Sequence, residues 1–223
     1  QWWVRRIKHE LDTIDFLRID HFRGLVGYWE IPAGSVTAVQ GRWVSAPAWE
    51  FFRTLIKKFP HLPVIAEDLG IITPDVREIM MAFHIPGMKV LEFAFSSDNA
   101  DNPYLLHNIT RDSVVYTGTH DNTPVKGWYS GDATEREKNR LTDYLGRKVC
   151  EEEICDVFIR MALMSIADTV IIPMQDHLNL GSFARMNKPG TEDGNWRWMM
   201  RDGLLDNNLI DKIREITKIY GRL

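Results

Sequence analysis

The chain has 223 residues, of which 44% are hydrophobic, 26% charged and 11% aromatic, the composition of a globular domain with apolar residues enough for a sizeable core. A formal net charge of −4, an isoelectric point near 6.0 and no basic run longer than two residues argue against a nucleic-acid partner. No apolar run reaches the roughly 18 residues of a membrane span, so no membrane partner is expected.

Taken in order, Gln1-Trp2-Trp3 opens no signal peptide, and without an initial Met the chain reads as a processed or excised piece. Trp3, Ile7 and Leu11 recur at helical spacing and predict a helix over residues 2 to about 13. Phe16-Leu17-Arg18-Ile19-Asp20-His21 predicts a strand that breaks at Gly24. Alternation puts Arg18 and Asp20 on one face, Leu17 and Ile19 on the other. Two opposite charges at a strand end admit two readings: a surface ion pair, or a carboxylate kept ionised for chemistry by a cation two residues back. Residues 24 to 44, rich in Gly, Pro and aromatics, read as a long loop, functional or disordered. Ser45-Ala46-Pro47 reads as an N-cap and early proline opening a helix to about Phe59.

Leu62-Pro63-Val64-Ile65-Ala66-Glu67-Asp68-Leu69-Gly70 predicts a buried strand with acids at its C-terminal tip. Thr73-Pro74-Asp75 caps a helix to about Phe83. Met88–Phe93 and Ser113–Thr117 predict further strands, the latter ending Gly118-Thr119-His120-Asp121-Asn122. Residues 133–146 and 151–167 read as helices, and Thr169–Pro173 as a fifth strand. A polar, Gly-rich loop then runs through Gly194, and residues 205–219 are helical in character.

Alternating strands and helices predict βαβ crossovers and a parallel sheet. Charged strand tips fit the (β/α) barrel, whose sites lie at the C-terminal ends of its strands. A closed eight-stranded barrel takes about 250 residues, and here 223 residues hold only five strands. The expected fold is therefore α/β: the C-terminal portion, about five βα units, of a TIM-type (β/α)8 barrel whose first strands are missing, forming a single partial domain over 1–223. No repeat, low-complexity segment or linker is visible. Cys150 and Cys155 have neither zinc nor redox spacing and read as reduced thiols of a cytoplasmic protein. Trp29, Trp43, Trp128, Trp196 and Trp198 fall in or near predicted loops, where they either anchor the chain or offer faces on which sugars stack.

Three strand tips carry acids: Asp20, Glu67 and Asp121. In a parallel barrel these tips converge on one rim. Two carboxyls about 5 to 5.5 Å apart across a sugar support retaining glycoside chemistry, one attacking and one delivering a proton. Those roles need opposite protonation states, which surroundings must set. Arg18 favours an ionised Asp20, and Glu67, preceded by Val64-Ile65-Ala66, is the better proton donor. A divalent metal site would also use convergent carboxylates, although Arg18 and the neighbouring histidines oppose it. Purely structural acids are the third reading.

Leu17-Arg18-Ile19-Asp20-His21-Phe22-Arg23-Gly24, Ile65-Ala66-Glu67-Asp68-Leu69-Gly70 and Tyr116-Thr117-Gly118-Thr119-His120-Asp121-Asn122 resemble the motifs of amylomaltases, the bacterial 4-α-glucanotransferases of glycoside hydrolase family 77. Trp29-Glu30-Ile31-Pro32-Ala33, Ala184-Arg185-Met186-Asn187, Pro189-Gly190 and Gly194-Asn195-Trp196 match further, in family order. The resemblance implies Asp20 as nucleophile, Glu67 as general acid/base and Asp121 as the acid that holds the hydroxyls of the distorted sugar. It implies Arg18, His120 and Asn187 in substrate binding and nucleophile orientation, with the 24–44 loop lining the rim. It further implies double displacement on α-1,4-glucans without a cofactor. The implied partners are maltooligosaccharides, starch- or glycogen-type glucans, glucose and the missing N-terminal part of the enzyme. A hydrolase of the amylase clan and an inactive glucan-binding fragment are the alternative readings, the second because the first barrel strands are absent.

Overall fold

Seven strands and eight α-helices follow one another through residues 1–223, all described by the computed structural model. In chain order they are α1 (Trp2–Leu11), β1 (Leu17–Ile19), β2 (Gly27–Glu30), β3 (Arg42–Ser45), α2 (Ala48–Lys58), β4 (Val64–Ala66), α3 (Pro74–Ala82), β5 (Gly87–Val90), β6 (Ser113–Tyr116), α4 (Val125–Gly127), α5 (Glu135–Leu145), α6 (Ile154–Met164), β7 (Thr169–Ile171), α7 (Met174–His177) and α8 (Asn207–Ile219). Short 3-10 turns join several of them. The main strands follow the order β1-β4-β5-β6-β7, and β1–β4, β4–β5 and β6–β7 pair in parallel, as consecutive βα units require. No helix is long and apolar enough to cross a membrane.

The chain divides into two compact units, Gln1–Met88 and Lys89–Leu223. In the first, Ile7 of α1, Phe52 and Leu55 of α2, Val64 and Ala66 of β4, and Val76 and Ile79 of α3 bury one core with Phe22. The β4 run Val64-Ile65-Ala66 is buried on both faces, as a covered parallel strand must be. Pro74 stands at the first turn of α3, where its missing N–H costs nothing.

The second unit packs Leu91, Phe95, Val115, Leu141, Ile154, Phe158 and Met161 into its own core, together with Trp128. Its best-capped helix is α5. The Thr134 side chain accepts from the Glu137 amide, the Glu137 carboxylate receives the Thr134 amide, and Gly146 ends the helix at φ 69. Ile216 of α8 packs on Ile159 and Leu163 of α6.

Several expectations need correction. Residues 24–44 are not one irregular loop: β2 and β3 pair there as an antiparallel hairpin with Trp29 opposite Trp43 and Glu30 opposite Arg42. Ser45 is no N-cap. It closes β3 opposite Gly27, and Pro47 stands at the start of α2 without a side-chain cap. The third strand stops at Val90, because Leu91–Phe95 turns into a 3-10 helix whose Phe93 and Ala94 carbonyls accept from the Asn102 amide. For Trp128 the anchoring reading holds, since it packs in the core and is only 6% exposed.

Candidate functional site

In the first unit, β1 and β4 bring three of the expected side chains to their C-terminal ends. Arg18 Nη2 donates to Asp20 Oδ1 at 2.8 Å, so the alternation read from sequence holds. Arg18 is in turn steadied by a 3.2 Å contact from its Nε to Met88 Sδ. Asp20 itself is exposed, its side chain 76% accessible. Glu67 follows β4 directly and is half-buried. Its Oε2 accepts from the His21 amide at 2.8 Å and its Oε1 from the Leu69 amide at 2.9 Å. His21 itself is left-handed, φ 47 and ψ 53, a conformation that costs a non-glycine residue about 1–2 kcal/mol. The ladder continues on either side, Glu67 N to Ile19 O at 2.9 Å and Phe22 N to Glu67 O at 3.1 Å.

In the second unit, the turn after β6 carries His120 and Asp121, and the 184–187 loop comes to meet it. Asn187 Nδ2 donates to Asp121 Oδ1 at 2.6 Å, and His120 Nε2 lies 3.4 Å from the same oxygen. Asn187 also returns its backbone amide to the His120 carbonyl at 3.0 Å. Arg185, which sequence reasoning left out of the site, is the clamp between these loops. Its guanidinium donates to the Asp121 carbonyl and to Thr123 Oγ1, and its Nε to the Asn187 carbonyl. Trp196 packs against the His120 ring, centroids 5.3 Å apart. A cavity of about 200 Å³ lies behind the turn, lined by Thr119, His120, Thr123, Gln175, Asp176 and Arg185 among others. Asp20, Arg18 and Glu67 thus form one group, and Asp121, His120 and Asn187 another.

Two acids absent from the sequence-based set are the most buried charges of the second unit: Glu92, 3% exposed, and Asp176, 1% exposed. Burial pushes the Glu92 carboxyl well above the usual range. Asp176 and Asp132 push it the same way, against the Asn122 amide and Arg185. Burial also raises Asp176, although Thr117 Oγ1 donates to its Oδ2 at 2.6 Å and the Val125 amide to its Oδ1 at 2.9 Å. One signal was available for Glu92, a lone charge inside the apolar run Val90-Leu91-Glu92-Phe93-Ala94-Phe95. Among the described residues, no cluster of three or more His, Cys, Asp or Glu side chains is arranged to hold a metal ion. Both cysteines are free. Cys150 is exposed, and the buried Cys155 thiol is pushed up to about 12, by burial first and by Asp176 second.

Comparison with known proteins identifies the family. The profile of the 4-alpha-glucanotransferase family matches residues 1–205. The 4-alpha-glucanotransferase of Aquifex aeolicus is 47% identical over 222 residues, covering 100% of this chain and 45% of its own length. The chloroplastic/amyloplastic 4-alpha-glucanotransferase of Solanum tuberosum is 45% identical, with 100% of this chain and 38% of its own length covered. Among solved structures, the amylomaltase from Streptococcus agalactiae in complex with acarbose superposes with a TM-score of 0.93 at 38% identity, over 100% of this chain and 44% of that one. The chain therefore spans less than half the length of the relatives it matches.

Proposed function

Because this chain belongs to the 4-alpha-glucanotransferase family, glycoside hydrolase family 77, we propose that it carries the catalytic acids of an enzyme that moves α-1,4-glucan segments onto the 4-hydroxyl of an acceptor glucan or glucose. The observation that carries the reading is the pairing of β1 with β4, which sets an exposed, Arg-paired Asp20 and an amide-held Glu67 at the ends of adjacent parallel strands.

On this reading Asp20 attacks the anomeric carbon of the donor while Glu67 gives its proton to the departing 4-oxygen, leaving a glycosyl ester on Asp20. Glu67 then takes the proton of the acceptor hydroxyl, which attacks the same carbon and frees Asp20 with overall retention. Arg18 keeps Asp20 aimed. Asp121, fixed by Asn187 and accompanied by His120, takes the ring hydroxyls of the distorted sugar. No cofactor enters. The acarbose complex of the Streptococcus agalactiae relative supports an α-glucan as substrate, with maltooligosaccharides and starch- or glycogen-type chains as donors. Both compact units are assigned to one partial (β/α) barrel domain, 1–223, supported by the single family profile that matches residues 1–205. An exposed, unpaired Cys150 supports a reducing compartment, the cytoplasm.

The test is maltotriose with the natural full-length protein. A ladder of longer maltooligosaccharides is expected, whereas reducing ends rising without a ladder would mean hydrolysis. Glu67→Gln should lower the transfer rate about a thousandfold. A near-normal rate in that variant would remove Glu67 from its role.

A further inference from the structure

Glu92 has no part in the chemistry above, yet it sits under the turn that presents Asp121. It is 3% exposed, and its Oε1 is buried without a hydrogen-bond partner. A Cβ on Gly118 would lie 2.8 Å from that oxygen, so the backbone at Gly118 rests directly on the carboxyl. The Asn122 amide, at the other end of the turn, is within hydrogen-bonding reach of Glu92. Asn122 Oδ1 then accepts from both the Thr119 amide, at 2.9 Å, and the Thr119 hydroxyl, at 2.7 Å. Thr119 Oγ1 in turn receives the Asp121 amide at 3.2 Å.

We propose that Glu92 is a positioning residue for Asp121: its buried carboxyl braces Gly118 and Asn122, and through Thr119 fixes the turn that holds Asp121 toward substrate. The inference rests on the reading of Asp121 as the acid that grips the sugar. Arg185 and Asn187 also restrain the turn, through the Asp121 carbonyl and carboxylate, whereas Glu92 meets it at Gly118 and Asn122. An unpartnered buried oxygen is tolerable on a neutral group and costly on a carboxylate, so the brace works as an acid or an amide. The charged groups facing it are Asp176 and Asp132, which oppose ionisation, and Arg185, which favours it less strongly.

The experiment compares Glu92→Gln and Glu92→Ala in the natural full-length protein, reading amide exchange of residues 118–122 together with kcat and KM for maltotriose. Glu92→Ala should speed exchange in the turn and lower kcat about a hundredfold, the cost of a small misplacement, with KM within about twofold. Glu92→Gln should keep slow exchange and most of kcat. If Glu92→Ala does not fold, Asn122→Ala breaks the same chain from its half-buried end and should give the same two changes. Unchanged exchange in a folded Glu92→Ala or Asn122→Ala protein overturns the inference, as does equal loss in Glu92→Gln and Glu92→Ala. Wild-type protein without transfer would defeat the proposed activity instead, and the exchange measurement would still decide the brace.

Discussion

The Asp121 carboxylate accepts a 2.6 Å hydrogen bond from Asn187, with His120 Nε2 3.4 Å from the same oxygen. Asn187→Ala removes that donor while leaving the backbone bond to the His120 carbonyl intact. It should lower kcat about tenfold, a loss of one charge-assisted hydrogen bond of 1.5–3 kcal/mol partly recovered by water, which steady-state kinetics on maltotriose would read. The Arg18–Asp20 pair adds little stability, because Asp20 is exposed and solvent screens it. Its contribution is orientation. At this scale the sequence was legible wherever strand alternation decides the outcome, as for Arg18, Asp20 and Glu67. It was illegible where two distant segments meet. Arg185 becomes a clamp only when the 184–187 loop folds onto Asp121 and Thr123, 64 and 62 residues away. Glu92 and Asp176 likewise look like ordinary acids until burial is known.

Among the elements, α5 owes its start to a reciprocal cap between Thr134 and Glu137 rather than to apolar burial, since Leu141 is its one fully buried residue. Thr134→Ala should therefore destabilise the fold by about 1 kcal/mol, seen as an earlier midpoint in urea unfolding with an unchanged slope. Most helices were readable from apolar spacing and caps. The β2–β3 hairpin was not, for a physical reason. Its strands are joined by residues 31–41, longer than the usual hairpin connection of about 2–5 residues, so no short turn signal marks it. What closes it is tertiary. Trp29 Nε1 donates to the Ala38 carbonyl at 2.9 Å, Arg42 pairs with Glu30 at 2.6 Å, and Arg23 lies over the Trp43 ring at 4.5 Å. Gly41 is required there, because a Cβ would come within 2.6 Å of the Glu30 carbonyl and the Trp29 indole.

For the molecule as a whole, the division into two compact units falls between Met88 and Lys89, inside β5, where no linker composition marks it. Stability should respond to pH chiefly through the second unit. Glu92 and Asp176 are acids raised by burial, so the folded state binds their protons more tightly than the unfolded chain does. Their folded forms are favoured at low pH, and that advantage is lost as pH climbs from the ordinary carboxylate range of about 4 up to their raised values. Asp156 runs the opposite way. Despite partial burial, Arg160 and Lys212 hold its carboxyl below the usual range, so its contribution fades as pH falls. Melting temperatures followed from pH 5 to pH 9 should thus decline, and decline less in Glu92→Gln, whose amide cannot ionise.

The left-handed backbone at His21 carries one more implication. A glycine there would relax the main chain while leaving the segment whose amide meets Glu67 freer to swing, trading rigidity beside Glu67 for ease of folding. Selections for thermal hardiness that ignore catalysis would drift toward that exchange, and a robust but sluggish variant altered at position 21 would be their signature.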